Sequence, residues 1–203
     1  MKKIAVLCSG RGTNLEAIIK NKEAGLLQAE IAVVLSDNPD APALAIARKH
    51  GVKALFQDPG PKKTWLIPEV EEKWIQTLKE HKVDLVCLAG FMRIIKKPLL
   101  DAFAGRILNI HPALLPAFPG LDVQKKALEY GVKFSGCTVH FVNDSVDGGP
   151  IIAQAAVPVL DGDTPETLSD RILQEEHRIY TEAINLVLSG RFRIEGRRVL
   201  KTG

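Results

Sequence analysis

Short, continuous apolar runs alternate with helix-period segments through the first half of the chain. Residues 3–8, 31–35, 52–56 and 83–89 are apolar without the strict alternation of a half-exposed strand. Such runs predict strands buried on both faces. Between them, residues 13–24 carry Leu15, Ile18 and Ile19 at helical spacing. Residues 42–50 are alanine-rich and stopped by Gly51, and residues 70–81 place Val70, Trp74, Ile75 and Leu78 on one side of a helix. Strands and helices in this order predict a parallel sheet joined by right-handed crossovers.

The pattern changes after a fifth apolar strand at residues 106–110. A proline-rich loop at 112–120 leads to a short helix at 123–130, then to strands at 136–142 and 151–159 with only a loop between them. That spacing predicts an antiparallel pair. Residues 165–188 form the longest predicted helix, with Asp163 or Thr164 as its cap and Glu166 and Thr167 in its first turn. A hairpin at 192–200 turns around Glu195 and Gly196. The fold class is α/β, with a Rossmann-like parallel N-terminal half and a mixed or antiparallel C-terminal half. No repeat and no linker interrupts it, so one domain is expected over residues 1–203.

Composition narrows the classes without choosing among them. The chain has 203 residues, 46% of them hydrophobic, which is enough to bury a full core. Its 27 basic and 24 acidic residues give a net charge of +3 and are scattered, so no concentrated basic face suggests a nucleic-acid partner. The apolar run after Lys2 and Lys3 breaks at Ser9 and Gly10, too early for a signal peptide, and no later run is long enough for a membrane span. Cys8, Cys87 and Cys137 are too few and too far apart for a disulfide framework. They are expected to be reduced core thiols of a cytoplasmic protein.

Three segments carry candidate chemistry. Asn109 and His111 stand two residues apart near the end of a strand, where an amide able to hold an oxyanion would lie beside an imidazole able to carry a proton. The same residues before Pro112 also fit an ordinary turn. The turn Ser9-Gly10-Arg11-Gly12-Thr13-Asn14 joins the first strand to the first helix, and free amides at a helix start suit a phosphate. It is not a dinucleotide fingerprint, because Leu15 occupies the place of the third glycine, and Asp37 is then read as a turn residue. After the fourth strand, Met92, Ile94 and Ile95 could meet a flat ring, and Arg93 a carboxylate.

A carboxylate near His111 would raise the imidazole pKa above its reference of about 6.5 and keep it an acid. Asp147, in Asp144-Ser145-Val146-Asp147-Gly148-Gly149-Pro150, is the candidate, although such a segment also fits a surface loop. His50 and His81 end helices and are assigned no chemistry. His140 fits either a buried hydrogen-bonding role or a place beside the site. His177 is expected on a solvated helix face.

In order along the chain, Ser-Gly-Arg-Gly-Thr-Asn, Ala-Gly-Phe-Met-Arg-Ile, Leu-Asn-Ile-His-Pro-Ala-Leu-Leu-Pro, Val-Asp-Gly-Gly-Pro and Gln-Glu-Glu-His-Arg-Ile-Tyr resemble the glycinamide ribonucleotide formyltransferases of the folate-dependent formyltransferase superfamily. The resemblance covers nearly the whole chain. It implies the formyltransferase fold, with both halves in one twisted sheet, and a catalytic trio of Asn109, His111 and Asp147. It further implies a ribonucleotide phosphate at Gly12, Thr13 and Asn14, with Glu176 at the ribose or glycinamide end. The folate site would comprise Met92, Arg93, Ile94, Ile95 and Asn109, with Asn143, Asp144, Ser145, Val146 and Asp147. The implied small-molecule partners are 10-formyltetrahydrofolate as cosubstrate and glycinamide ribonucleotide. No metal, nucleic acid or membrane is implied, and a monomer or homodimer is compatible.

Some positions depart from the family pattern. Ala113 stands where serine is usual after His-Pro, and Asp122 where histidine is frequent. A basic residue that contacts folate in many relatives falls on Ile67 by ungapped counting, with Lys62 and Lys63 nearby. Within the superfamily, a methionyl-tRNA formyltransferase would be expected to add a C-terminal domain and a formyltetrahydrofolate hydrolase an N-terminal one. A non-catalytic nucleotide-binding module would have no need of the full trio.

Overall fold

The computed structural model describes residues 1–202. These fall into two compact units, residues 1–109 and 110–203. In the first, β1 (Lys2–Cys8), β2 (Ala29–Ser36), β3 (Ala54–Phe56), β4 (Leu85–Leu88) and β5 (Ile107–His111) lie in the order β3-β2-β1-β4-β5, all parallel. β5 runs one residue further than the apolar pattern indicated, so His111 belongs to the strand rather than to the turn after it. β1 is fully buried from Ile4 to Cys8, as expected for a strand covered on both faces.

The strand order reverses between β1 and β4. In open α/β sheets, the loops leaving the carboxyl ends of the strands on either side of such a reversal form the ligand crevice. Here those loops are the glycine turn at 9–12 and the segment at 89–96. They are bonded to one another, the Ser9 amide donating to the Gly90 carbonyl at 3.1 Å and the Met92 amide to Ser9 Oγ at 2.9 Å.

The helices of this unit are α1 (Thr13–Glu23), α2 (Pro42–Lys49), α3 (Pro68–Glu80) and α4 (Lys97–Ala102). Val70, Trp74 and Leu78 repeat every four residues on the buried face of α3. Each fully buried side chain of this size contributes about 1.5–3 kcal/mol. The indole N–H of Trp74 donates to the Asp58 carbonyl at 3.2 Å, so burial of the ring leaves no unpaired donor. α4 is an element the hydrophobic pattern did not reveal. Its N-terminus is held by Glu71, a fully buried carboxylate of α3 that accepts from the Lys96 amide at 2.5 Å and the Leu99 amide at 3.1 Å. Burial raises the Glu71 pKa, against the lowering effect of these two amides and of the Lys96 charge.

In the second unit, β6 (Phe134–Phe141) and β7 (Ile151–Pro158) form the expected antiparallel pair, with a register shift between Val139 and His140. β8 (Phe192–Glu195) and β9 (Arg198–Lys201) form the terminal hairpin, and β9 meets β7 in parallel at Ile151 and Arg198. α5 is Val123–Tyr130, and α6 (Pro165–Ser189) packs on β6 and β7. Thr164 caps α6 in a reciprocal arrangement with Thr167. Asp163 is instead the anchor of Arg171, whose guanidinium meets it at 2.7 and 2.8 Å.

Cys8, Cys87 and Cys137 are all free and buried. Burial, reinforced by the nearby charge of Asp37, pushes the Cys8 thiol up to about 12. Among the described residues, no helix is long and apolar enough to cross a membrane.

Candidate active site

In the first unit, the chain leaves β1 through a turn that only glycine fits at position 12. Gly12 is the N-cap of α1 with φ +81°, and an added Cβ would sit 2.8 Å from both Cα and Cβ of Ala43. No side chain caps this helix start, where Thr13 opens the first turn and Asn14 follows it, buried. The backbone therefore presents the amide-rich, positive end of α1 at the carboxyl edge of the sheet. Such an end suits an anion such as a phosphate.

The segment beside it is tied down along its length. In addition to the Ser9 contact, the Ile94 amide donates to the Thr64 carbonyl at 2.9 Å, and the Lys96 amide is held by Glu71. Met92 and Ile94 are left 57% and 41% exposed, as an apolar surface on a fixed backbone. Ile95 is 5% exposed and packs beneath this surface.

Arg93 ties this loop to two other segments of the unit. Its Nε donates to Asp37 Oδ2 at 2.6 Å and its Nη1 to the Lys62 carbonyl at 2.6 Å. Two nitrogens of the guanidinium are thus engaged within the protein. Asp37, in turn, is neither a ribose acceptor nor a simple turn residue but the buried counter-ion of Arg93. Lys62 and Lys63 are exposed, in the segment that the Arg93 and Ile94 bonds attach to this loop.

In the second unit, a loop brings a carboxylate to His111. Asp147 has φ +50°, an uncommon conformation for a residue with a side chain. Gly149 follows because a Cβ there would overlap the Phe141 carbonyl. Asp147 Oδ2 lies 3.5 Å from His111 Nδ1, and the same oxygen accepts the Gly120 amide at 2.9 Å. The other oxygen, Oδ1, lies 3.7 Å from His140 Nε2. One carboxylate is thus flanked by two imidazoles, and all three groups are largely buried.

Burial alone would raise the Asp147 pKa. The His140 contact, the Gly120 amide and the charge of His111 outweigh burial and hold the carboxyl below its ordinary value.

The remaining imidazole nitrogens are also engaged. His111 Nε2 lies 2.9 Å from the Phe118 carbonyl, and His140 Nδ1 lies 2.8 Å from the Phe141 carbonyl. A carbonyl only accepts, so in each ring that nitrogen carries the proton. Of the two places open to His140 in the sequence, the structure combines both: the ring is buried and hydrogen-bonded, and it lies beside Asp147. The available signal was the pair Thr138 and His140, two polar residues on one face of an otherwise apolar strand.

Asn109 precedes His111 by two positions on β5 and shares its face. Ser145 donates its amide to Asn143 Oδ1 at 3.0 Å, and Asp144, Ser145 and Val146 are exposed on the turn so formed. Glu176 lies on the buried face of α6. Its charge is felt by Cys137, whose thiol burial pushes up to about 12 with help from Glu176.

An amide-rich helix start beside an apolar loop in one unit, and an imidazole–carboxylate pair at the end of a strand bearing an amide, suit a group-transfer enzyme of the α/β class. The chain belongs to the formyl transferase family, whose model matches residues 2–184 and so runs across both units. It is similar to the phosphoribosylglycinamide formyltransferase of Bacillus subtilis, with 41% identity over 188 residues that cover 93% of this chain and 95% of that protein. The glycinamide ribonucleotide transformylase 1 of Symbiobacterium toebii is 55% identical with a TM-score of 0.95, covering 100% of this chain and 95% of that one. The trifunctional purine biosynthetic protein adenosine-3 of Gallus gallus is 46% identical over 188 residues, and the chain spans 18% of its length.

Proposed function

We propose that the chain transfers the formyl group of 10-formyltetrahydrofolate to the amine of glycinamide ribonucleotide, a step of purine synthesis, with Asn109, His111 and Asp147 as its catalytic residues. The observation that carries this reading is the contact of His111 with a buried Asp147 at 3.5 Å. The folate supplies an activated formyl carbon and, once relieved of it, a nitrogen able to take a proton. Everything else is supplied by the chain.

Asp147 is held below the ordinary carboxyl value because its donors and the neighbouring imidazoles outweigh its burial. That anion faces His111 Nδ1 and orients the ring, with Nε2–H directed at the Phe118 carbonyl. The His111 N–H and the Asn109 amide then stabilise the negative charge that grows on the formyl oxygen as the amine attacks. Transfer of the Nε2 proton to the departing folate nitrogen, with the proton lost by the attacking amine returned to the ring, requires that Nε2–H leave the Phe118 carbonyl, so the 115–120 loop bears on this step. No covalent enzyme intermediate and no metal is required.

The helix start at Gly12, Thr13 and Asn14 holds the ribonucleotide phosphate, with Glu176 for the ribose or glycinamide end. Met92 and Ile94 offer their exposed side chains to the folate, and Arg93 and Ile95 contribute through their main chain. Asn143, Asp144, Ser145 and Val146 are further folate contacts, in the loop that carries Asp147. Both partners are small molecules, with no nucleic acid or membrane involved. The active species is a cytoplasmic monomer or homodimer built from the single domain 1–203.

The test follows loss of the formyl group from a 10-formylfolate analogue by absorbance, with and without glycinamide ribonucleotide. Turnover that depends on the ribonucleotide supports the transferase. Turnover without it identifies a hydrolase, and no turnover a binding module.

A further inference from the structure

We propose that Gln154 and Thr138 form a positioning pair that fixes the loop at 113–120 and, through it, the orientation of His111 and Asp147. The inference rests on the catalytic roles proposed above, and neither residue belongs to the Asn109, His111 and Asp147 set.

The loop is the common neighbour of both catalytic groups. Its Phe118 carbonyl receives His111 Nε2–H at 2.9 Å, and two residues on its Gly120 amide donates to Asp147 at 2.9 Å. Phe118 adopts φ +52°, in the left-handed region that side chains disfavour. Such a residue keeps its conformation only where the surroundings over-determine it.

The restraint comes from β6 and β7. Thr138, fully buried on β6, donates its hydroxyl proton to the Ala113 carbonyl at 2.7 Å and accepts from the Leu115 amide at 3.0 Å. Gln154 Nε2, on the paired position of β7, donates to the same hydroxyl at 2.9 Å and to the Leu115 carbonyl at 2.9 Å.

Donor counting settles how the amide is oriented. The single proton of Thr138 is committed to Ala113, and both its lone pairs are filled by Leu115 and Gln154. If the Gln154 amide were rotated, its oxygen would face the Leu115 carbonyl and a hydroxyl oxygen with no proton left to give. The network is closed only as it stands, and it fixes both the amide and carbonyl of Leu115, three residues before Phe118. Gln154 touches neither His111 nor Asp147 and acts through the loop.

The test uses Gln154→Met, which keeps the length and removes both donors. Thr138→Val removes the hydroxyl at constant shape, and Thr138→Ser retains it. For each variant, kcat, the KM of both substrates, thermal stability and the ¹⁵N-edited resonance of the His111 Nε2 proton are measured in the full chain. Gln154→Met and Thr138→Val are expected to lower kcat about a hundredfold, the cost of misplacing a reacting group by about 1 Å. Both KM values should stay near wild type, and the His111 resonance should shift or broaden. Thr138→Ser should restore kcat and the resonance together.

If Gln154→Met does not fold, the two Thr138 variants carry the same comparison. A lowered melting temperature with wild-type kcat and an unmoved His111 resonance overturns the proposal and makes the pair merely structural. His111→Ala, assayed alongside, separates the two readings. Wild-type turnover there would remove the role given to His111, while the resonance in the Gln154 and Thr138 variants still decides whether the clamp orients the ring.

Discussion

His111 Nδ1 faces Asp147 Oδ2 across 3.5 Å, with both side chains nine-tenths or nearly so withdrawn from solvent. The pair is formed because a strand one residue longer than its apolar core ends on His111, while Asp147 is turned inward on a left-handed residue before two glycines. The carboxylate is kept ionised by the groups around it, and this has a measurable pH signature.

Because the Asp147 pKa is lower folded than unfolded, its ionised form stabilises the protein above the unfolded value of about 3.9. That contribution is lost as pH falls through the folded value. Asp147→Asn removes the titration, so the stability gap between wild type and variant should narrow as the pH is lowered from about 7 to about 3 in thermal unfolding. At neutral pH the variant should lose about two to four orders of magnitude in kcat.

Gly12→Ala should weaken the ribonucleotide site and the fold together. The new Cβ would meet Ala43 at 2.8 Å on a backbone with φ +81°. A cost of about 1–3 kcal/mol is expected from the strained conformation. Denaturant unfolding reports the loss, and the KM for the ribonucleotide should rise more than the KM for the folate.

The Arg93 and Asp37 pair gives a double-mutant cycle. Arg93→Leu leaves a buried carboxylate without its counter-ion and should cost about 3–5 kcal/mol, whereas Arg93→Leu combined with Asp37→Leu should cost less than Arg93→Leu alone, with Asp37→Leu completing the cycle. Urea midpoints of the four proteins measure the coupling. Equal and additive losses would mean the ion pair does not hold the 90–96 loop.

Glu71→Gln replaces one acceptor by a donor opposite a main-chain amide, at a fully buried position. A loss of about 1–3 kcal/mol is expected. Its pH dependence has the opposite sign to that of Asp147. The Glu71 pKa is raised by burial, so wild type holds its full contribution below the unfolded value of about 4.3 and loses part of it as pH rises through the folded value. The stability gap between wild type and variant should therefore shrink as the pH is raised.

Most strands, α5 and the long helix α6 were legible in the sequence, because each carries enough apolar residues to show its period. α4 was not. It has six residues, too few to display a repeat, and its N-terminus is held by Glu71, 25 residues away in the chain, rather than by a local cap. Distance along the chain also hid the Asp37–Arg93 pair, 56 residues apart, and with it the fact that Arg93 is already engaged. The place of Asp147 could be suspected from Gly148 and Gly149, but the contact depends on a left-handed Asp147 that no local preference specifies. His140 was visible only as a polar residue in an apolar strand, a pattern equally compatible with a satisfied core histidine.

The most direct test of the catalytic assignment is the steady-state rate of His111→Ala with 10-formyltetrahydrofolate and glycinamide ribonucleotide. The rate should fall by two or more orders of magnitude, as expected when a catalytic acid is removed, while both KM values remain near wild type. A folded variant with wild-type kcat would contradict the role of His111 as the donor at the formyl oxygen.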